Sequence, residues 1–384
     1  MKIIKRLFIY LIAILIVSEL AILISGKTFL NKVFVMTLLK GRFGPDIDEM
    51  DKFQKREIQN GIPQPWPISK NIGLLQVDES ILEKCEEFKT VSLLVIKNDS
   101  IIYEKYWENY SNKSYSNSFS MAKSFVGALI GIALKEGKIK SLDEPVGNYI
   151  PEFDQSEKSK ILIKHLLSMS SGLDFNESYN SPFAWPSESY YGADGNALTL
   201  KANIKSESGK IWIYKGGDTQ LLGMLLKKAT GKNVADYASE KLWKVLGAEY
   251  PAFWSLDEKG MEKVSCCWYT NARDFARIAK LYMQYGNWNG QQIIDTNYIQ
   301  QSLSFAPLKK RDGAENDQYG YQWWMMKYKG HEIFYCRGIL GQYIFAIPDE
   351  KMIVVRLGHK RAKKIGDELP KDIFVYLDAA LQLK

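Results

Sequence analysis

Residues 119–137 of this 384-residue chain read Phe-Ser-Met-Ala-Lys-Ser-Phe-Val-Gly-Ala-Leu-Ile-Gly-Ile-Ala-Leu-Lys-Glu-Gly. Apolar residues fill nearly every turn, so a helix here has almost no face to offer water and must run through a core. Ser120 stands in its first turn. Gly137 falls just past its end, where a left-handed residue closes a helix most cheaply. Ser120 and Lys123 are three residues apart and share one face of that turn. A lysine placed in such a helix without purpose would cost several kcal/mol of charge desolvation. Taken alone, the pair fits either an activated nucleophile or an N-cap serine followed by a lysine that snorkels to the surface.

The rest of the chain supplies a core for that helix. Hydrophobic residues make up 46% and aromatic residues 13%, ample for a packed globular unit. The formal charge of +7 is spread along the chain without a basic stripe interleaved with aromatics, which argues against nucleic acid as a partner. Strand-like runs at 91–96 and 101–107 flank Lys97-Asn98-Asp99-Ser100, a hairpin signal. Three more, at 333–336, 342–347 and 352–357, are punctuated by glycine or Pro-Asp as in an antiparallel meander. Helical spacing is read at 163–168, 218–231, 234–245, 272–284 and 373–383. Strands at both ends with helices between them imply an α+β domain whose antiparallel sheet is completed by both termini. Residues 174–210 are too long and irregular for a simple connection, and loops of that kind are often binding walls.

The N-terminus differs in character. After Lys2, Lys5 and Arg6, residues 7–24 are almost unbroken in apolar side chains apart from Glu19, a run of about 18 residues that can cross a bilayer. No small-residue cleavage site follows, so an uncleaved membrane anchor is preferred to a removed signal peptide. The organisation read from the sequence is an anchor at 1–39, a Pro/Gly-rich linker or extended arm at 40–72, and one domain over 73–384, facing the periplasm or the exterior.

Four cysteines show no paired metal-ligand spacing. The vicinal pair Cys266-Cys267 and Cys336 read best as buried small hydrophobes, with a disulfide left open for an oxidising compartment. His165, His331 and His359 form no helical metal pair, and no metal or organic cofactor is expected. Nor is there a Gly-x-Ser-x-Gly elbow or a well-placed histidine base, which leaves lysine as the base of a serine nucleophile.

Several motifs in order then give a resemblance. Phe119-Ser-Met-Ala-Lys-Ser-Phe125, Leu142-Asp-Glu-Pro-Val146, His165-Leu-Leu-Ser-Met-Ser-Ser-Gly-Leu173, Tyr214 ahead of Gly-Asp-Thr-Gln, Trp288-Asn-Gly-Gln-Gln and Gly338-Ile-Leu-Gly-Gln-Tyr343 resemble the serine β-lactamase-like family of β-lactamases, penicillin-binding proteins and related esterases and amide hydrolases. Within it, the resemblance is nearest to the 6-aminohexanoate-dimer hydrolase subgroup. It implies the β-lactamase/transpeptidase-like fold, including a mostly helical subdomain. It also implies Ser120 as acylated nucleophile, Lys123 as its proton acceptor and Tyr214 as proton shuttle, with the backbone N–H groups of Ser120 and Ile339 as the oxyanion hole. Gly216, Arg337 and Gly338 fall at positions that would bind substrate. Two departures follow from the same alignment of motifs. Gly216 replaces the asparagine of the family's Y-x-N element. Cys336-Arg337-Gly338 replaces its K-T-G, so the lysine that helps bind a β-lactam carboxylate is absent. Both make an ester or amide hydrolase a better expectation than a β-lactamase. The alternatives are a penicillin-binding-type D-amino-acid peptidase and a non-catalytic ligand-binding relative.

Overall fold

The computed structural model describes residues 2–363 and 369–383. Helix α1 (Lys2–Ser25) carries the long apolar run, and among its described side chains none is buried by the rest of the chain. By length and composition it is a candidate membrane span. Its one carboxylate, Glu19, accepts a 2.8 Å hydrogen bond from Asn31 in the next helix, α2 (Phe29–Met36). Gly26, at φ +68, makes the break between them.

Residues 40–72 run as an arm along the domain, and here the expectation that they lie outside the core needs correction. Strand β1 (Lys55–Ile58) pairs antiparallel with β5 (Ala252–Ser255), and Ile47, Ile58 and Trp66 are buried in the main core.

Helix α3 (Glu79–Glu87) leads into the hairpin β2 (Thr90–Lys97) and β3 (Ser100–Tyr106). Its turn residues Asn98 and Asp99 both take positive φ, the conformation that matches a two-residue turn to strand twist. The two-residue strand β4 (Ser116–Asn117) precedes α4 (Ala122–Lys135), with Ser120 held in a single 3-10 turn just before the helix proper. From Ala122 to Ala133 every residue of α4 is buried. Gly131 is needed where it stands, since a Cβ there would lie 2.6 Å from the Tyr298 ring.

The helical part follows as α5 (Ile163–Leu167), α6 (Trp185–Tyr191), α7 (Gly195–Leu200), α8 (Gly216–Thr230) and α9 (Val234–Ala238). The helix expected over 234–245 is shorter as a regular element, because the chain widens into a π-type turn at Ser239–Trp243. After β5 come β6 (Trp268–Thr270), α10 (Ala272–Met283), the small β7–β8 hairpin (Asn287–Trp288, Gln291–Gln292) and α11 (Thr296–Ser302). The chain closes with β9 (Trp324–Tyr328), β10 (His331–Gly338), β11 (Gln342–Ile347), β12 (Met352–Gly358) and α12 (Asp372–Gln382).

The main sheet is antiparallel in the order β3-β2-β12-β11-β10-β9, so both ends of the domain do complete it. Alternation along β12 shows how it sits: Ile353, Val355 and Leu357 join the core with α4 and α10, while Met352 and Val354 face α12. A second sheet, β1-β5-β6-β4, lies beside Ser120.

Candidate active site

The turn that carries Ser120 is set by local contacts. Ser118 donates its backbone N–H to Trp268 at 2.8 Å, and Asn117 Oδ1 accepts from Phe119 N at 2.9 Å. These bonds hold Phe119 at φ +43, a conformation that costs a non-glycine residue about 1–3 kcal/mol. Ser120 follows this turn and borders a deep cavity. One turn on, Lys123 is 3% exposed, so it does not snorkel. Its Nζ lies 3.1 Å from Ser120 Oγ and donates to the Ser265 carbonyl at 2.6 Å. Burial pulls the Lys123 amine down to about 8, against the opposing charge of Glu177.

Tyr214 arrives from the other side. The Ser-Met-Ser-Ser-Gly loop anchors the segment that carries it: Ser171 Oγ donates to Asp218 at 2.5 Å and accepts from Lys215 Nζ at 2.9 Å. The Tyr214 ring packs against Trp324 and Tyr319, and Lys123 Nζ sits 5.4 Å from its centroid. Burial pushes the phenol up to about 12, although its hydrogen bond with Ser120 and the charge of Arg337 act the other way. Near neutral pH Tyr214 is therefore a phenol, and Lys123 is the group close to exchanging its proton.

Glu177 belongs to this cluster and was missed in the sequence. Its Oε1 accepts from Gly216 N at 2.5 Å at the start of α8, where a carboxylate meets unpaired N–H groups and the positive end of the helix dipole. A Cβ on Gly216 would stand 2.5 Å from Trp185 and 3.4 Å from Glu177 Oε1. The space of the missing amide is thus filled by an indole and a carboxylate. Burial raises Glu177 to about 7, and the Lys123 charge pulls it back.

The end of β10 closes the site. A Cβ on Gly338 would collide with the Ser118 carbonyl, so this glycine lets the strand lie directly against the turn that carries Ser120. Ile339 borders the same cavity as Ser120. The turn after it, with Leu340 at φ +61, is held by fully buried Arg356, whose guanidinium donates to Leu340 O at 2.9 Å and Gly341 O at 2.7 Å. No local motif pointed to Arg356. Of the three residues expected to bind substrate, only Gly216 lines the cavity. Arg337 points to the opposite face from Cys336 and lays its guanidinium 3.8 Å from the Trp324 ring centroid, beside Tyr214. Cys336 is buried against Ser124 of α4, and burial pushes its thiol far up.

The cavity holds about 590 Å³. The 174–210 stretch forms one wall, with Tyr179 and Trp185 among its contributions, and Cys266 lies on another. Cys266 and Cys267 are joined in a vicinal disulfide, which corrects their reading as free hydrophobes; Cys267 takes φ +70 in the same turn. Cys336 is a buried free thiol, as expected, and Cys85 is another. His165 is half-buried, burial lowers it to about 4, and its Nδ1 accepts from Leu162 N, so it is a structural neutral imidazole. Asp46, Asp48 and His359 each bring one ligand atom within 4.8 Å of the others. Asp46 already bonds His359 at 2.6 Å, and Asp48 accepts from the Tyr110 hydroxyl, so a cation there would displace existing partners.

The family model for beta-lactamase matches residues 79–376, most of the chain and every residue of this cluster. The chain belongs to the beta-lactamase family. This family is one of serine hydrolases, and its relatives show the range. A 6-aminohexanoate-dimer hydrolase of Paenarthrobacter ureafaciens is 22% identical over 296 residues, covering 72% of this chain and 74% of that protein. A protein of Escherichia coli K12 provisionally named a D-alanyl-D-alanine carboxypeptidase is 26% identical over 206 residues, 47% of each chain. Among solved structures, a Bacillus anthracis protein provisionally named a 6-aminohexanoate-dimer hydrolase superposes with a TM-score of 0.75 at 23% identity, covering 88% of this chain and 92% of that one.

Proposed function

We propose that this beta-lactamase-family hydrolase cleaves an ester or amide through an acyl-enzyme on Ser120. The observation that carries the reading is the Lys123 amine, buried at 3% exposure and 3.1 Å from Ser120 Oγ. An amine pulled down to about 8 is neutral in an appreciable fraction of molecules near pH 7 and can take the hydroxyl proton. Ser120 Oγ then attacks the carbonyl carbon, and the oxyanion that forms faces the backbone N–H groups of Ser120 and Ile339. Tyr214, a phenol at this pH, passes a proton to the departing alcohol or amine. Water enters, its proton is taken by the same relay, and the acid leaves with Ser120 restored.

Gly216 and Cys336 stand where an amide and a cation would hold a β-lactam, so we assign β-lactams no role as substrates. A penicillin-binding-type peptidase is the second reading; it is favoured by the provisionally named carboxypeptidase relative and weakened by the same missing lysine. We also read α1 as an uncleaved anchor that places the domain outside the cytoplasm. Ser120→Ala is expected to abolish fluorophosphonate labelling and hydrolysis of short aryl esters, and Lys123→Ala to lower kcat about 10²–10⁴-fold. Labelling of the Ser120→Ala protein equal to wild type would overturn the assignment.

A further inference from the structure

The cavity that holds Ser120 is not enclosed by the hydrolase domain alone. Val33, Thr37 and Leu38, from α2 and the turn after it, line it together with Phe43 of the arm, Tyr179 and Trp185. Only Gly26, Lys27 and Thr28 separate α2 from α1, the candidate membrane span. An eight-residue helix is about 12 Å long. A lipid surface around the end of α1 therefore lies within about that distance of a wall of the nucleophile's cavity. The approach is apolar and open: Phe43 is 96% exposed, Leu39 65% and Phe183 58%. Phe43 lines the cavity, and Leu39 and Phe183 each follow a lining residue, Leu38 and Pro182, so exposed apolar side chains border the cavity wall, as they do at a binding surface. A cleft of this size with apolar walls and a few polar groups at its base suits a largely buried ligand.

From this continuity we propose that the substrate is a membrane-borne amphiphile, an ester or amide with a long alkyl chain, drawn from the lipid layer along α2 and Phe43 to Ser120. The inference rests on the serine-hydrolase reading above and on α1 remaining attached. The covalent step is unchanged by it. Ser120 Oγ bonds to the carbonyl carbon as the C–O or C–N bond to the leaving group breaks and the leaving group takes a proton. Water then cleaves the Ser120 ester to release a carboxylic acid. What the membrane-side wall adds is ground- and transition-state binding of the chain.

The test uses the full chain in phosphatidylcholine vesicles. With p-nitrophenyl esters, kcat/KM for the decanoate should exceed that for the acetate by roughly tenfold or more, since each buried methylene adds to binding. Leu38→Glu, with Val33→Ser as a milder variant, should lower the decanoate-to-acetate ratio at least about fivefold. A fluorogenic palmitoyl ester dissolved in the enzyme's own vesicles should be hydrolysed at least about ten times faster than one held in separate vesicles. A ratio near or below one, or equal rates from shared and separate vesicles, would overturn the proposal while Ser120-dependent acetate hydrolysis left the hydrolase reading standing. Hydrolysis of both esters undiminished in Ser120→Ala, or no hydrolysis of either, would overturn that reading and this one with it.

Discussion

The Lys123–Glu177 pair shows how one residue sets the working range of another. Burial drives Lys123 down to about 8 and Glu177 up to about 7, and each charge opposes the other's shift. On the proposed mechanism Lys123 must be neutral to accept the Ser120 proton, so kcat/KM should rise as pH climbs towards 8. In Glu177→Gln the charge that supports the ammonium is gone, so Lys123 should titrate lower and the acidic limb of the profile should move to lower pH. Each unit of downward shift gives up to about tenfold more neutral lysine below its pKa. A carboxylate that only caps α8 predicts a loss of thermal stability with the profile unmoved, and kcat/KM measured from pH 5 to 9 separates the two. Glu177 was not legible in the sequence because it sits on an irregular loop at no helical or strand spacing from Ser120. Ser120 and Lys123 were legible because one helical turn relates them.

At the scale of the element, the arm is the part with an environmental dependence. Its Asp46 bonds His359 at the end of β12, with Asp48 and Glu108 also facing the imidazole and Arg42 facing Asp46. Burial alone would raise Asp46, but its bond and charge contact with His359 outweigh it and hold the carboxyl down at about 2. Burial alone would lower His359, and its bond to Asp46 raises it instead. Asp46's share of stability is complete above its free value of 3.8 and is lost as pH falls through about 2. That of His359 is complete below its free value of 6.5 and is lost as pH rises through its raised value. The latch is therefore strongest between pH 3.8 and 6.5. Both groups are part-exposed, which limits its worth to under about 1 kcal/mol. Scanning calorimetry should find His359→Ala less stable than wild type at pH 6, with the difference shrinking by pH 8.5. A gap that widened with pH would contradict this account.

For the whole molecule, the question is which parts of the N-terminal region the fold requires. Among the described residues of α1 no side chain is buried, whereas residues 47–66 place Ile47, Ile58 and Trp66 in the core and pair β1 with β5. A chain beginning at Lys27 should keep the melting temperature of the full chain to within about 2 °C. One beginning at Gly61 removes Ile47 and Ile58, each worth about 1.5–3 kcal/mol of burial, and leaves β5 as a sheet edge. It should melt well below the first or fail to fold, as differential scanning fluorimetry would show. Equal melting temperatures would mean the arm contributes nothing to the core.

What the sequence by itself determined is whatever rests on short spacings. Apolar runs punctuated by turn residues marked the hairpin and the meander, a nearly unbroken apolar run marked α4, helical spacing marked α10 and α12, and the i, i+3 relation put Ser120 and Lys123 on one face. Motif order carried Tyr214 and Ile339 to the same site. Only the tertiary structure decided what surrounds them. Ser265 offers its carbonyl to Lys123, Glu177 and Trp185 occupy the space beside Gly216, Arg356 grips the turn after Ile339, and α2 walls the cavity. These contacts join segments far apart in the chain, and no local periodicity encodes which distant loop will reach a given helix terminus. The buried lysine sums up the division: its place on the helix is a matter of spacing, and its readiness to take a proton is a matter of what the fold packs around it.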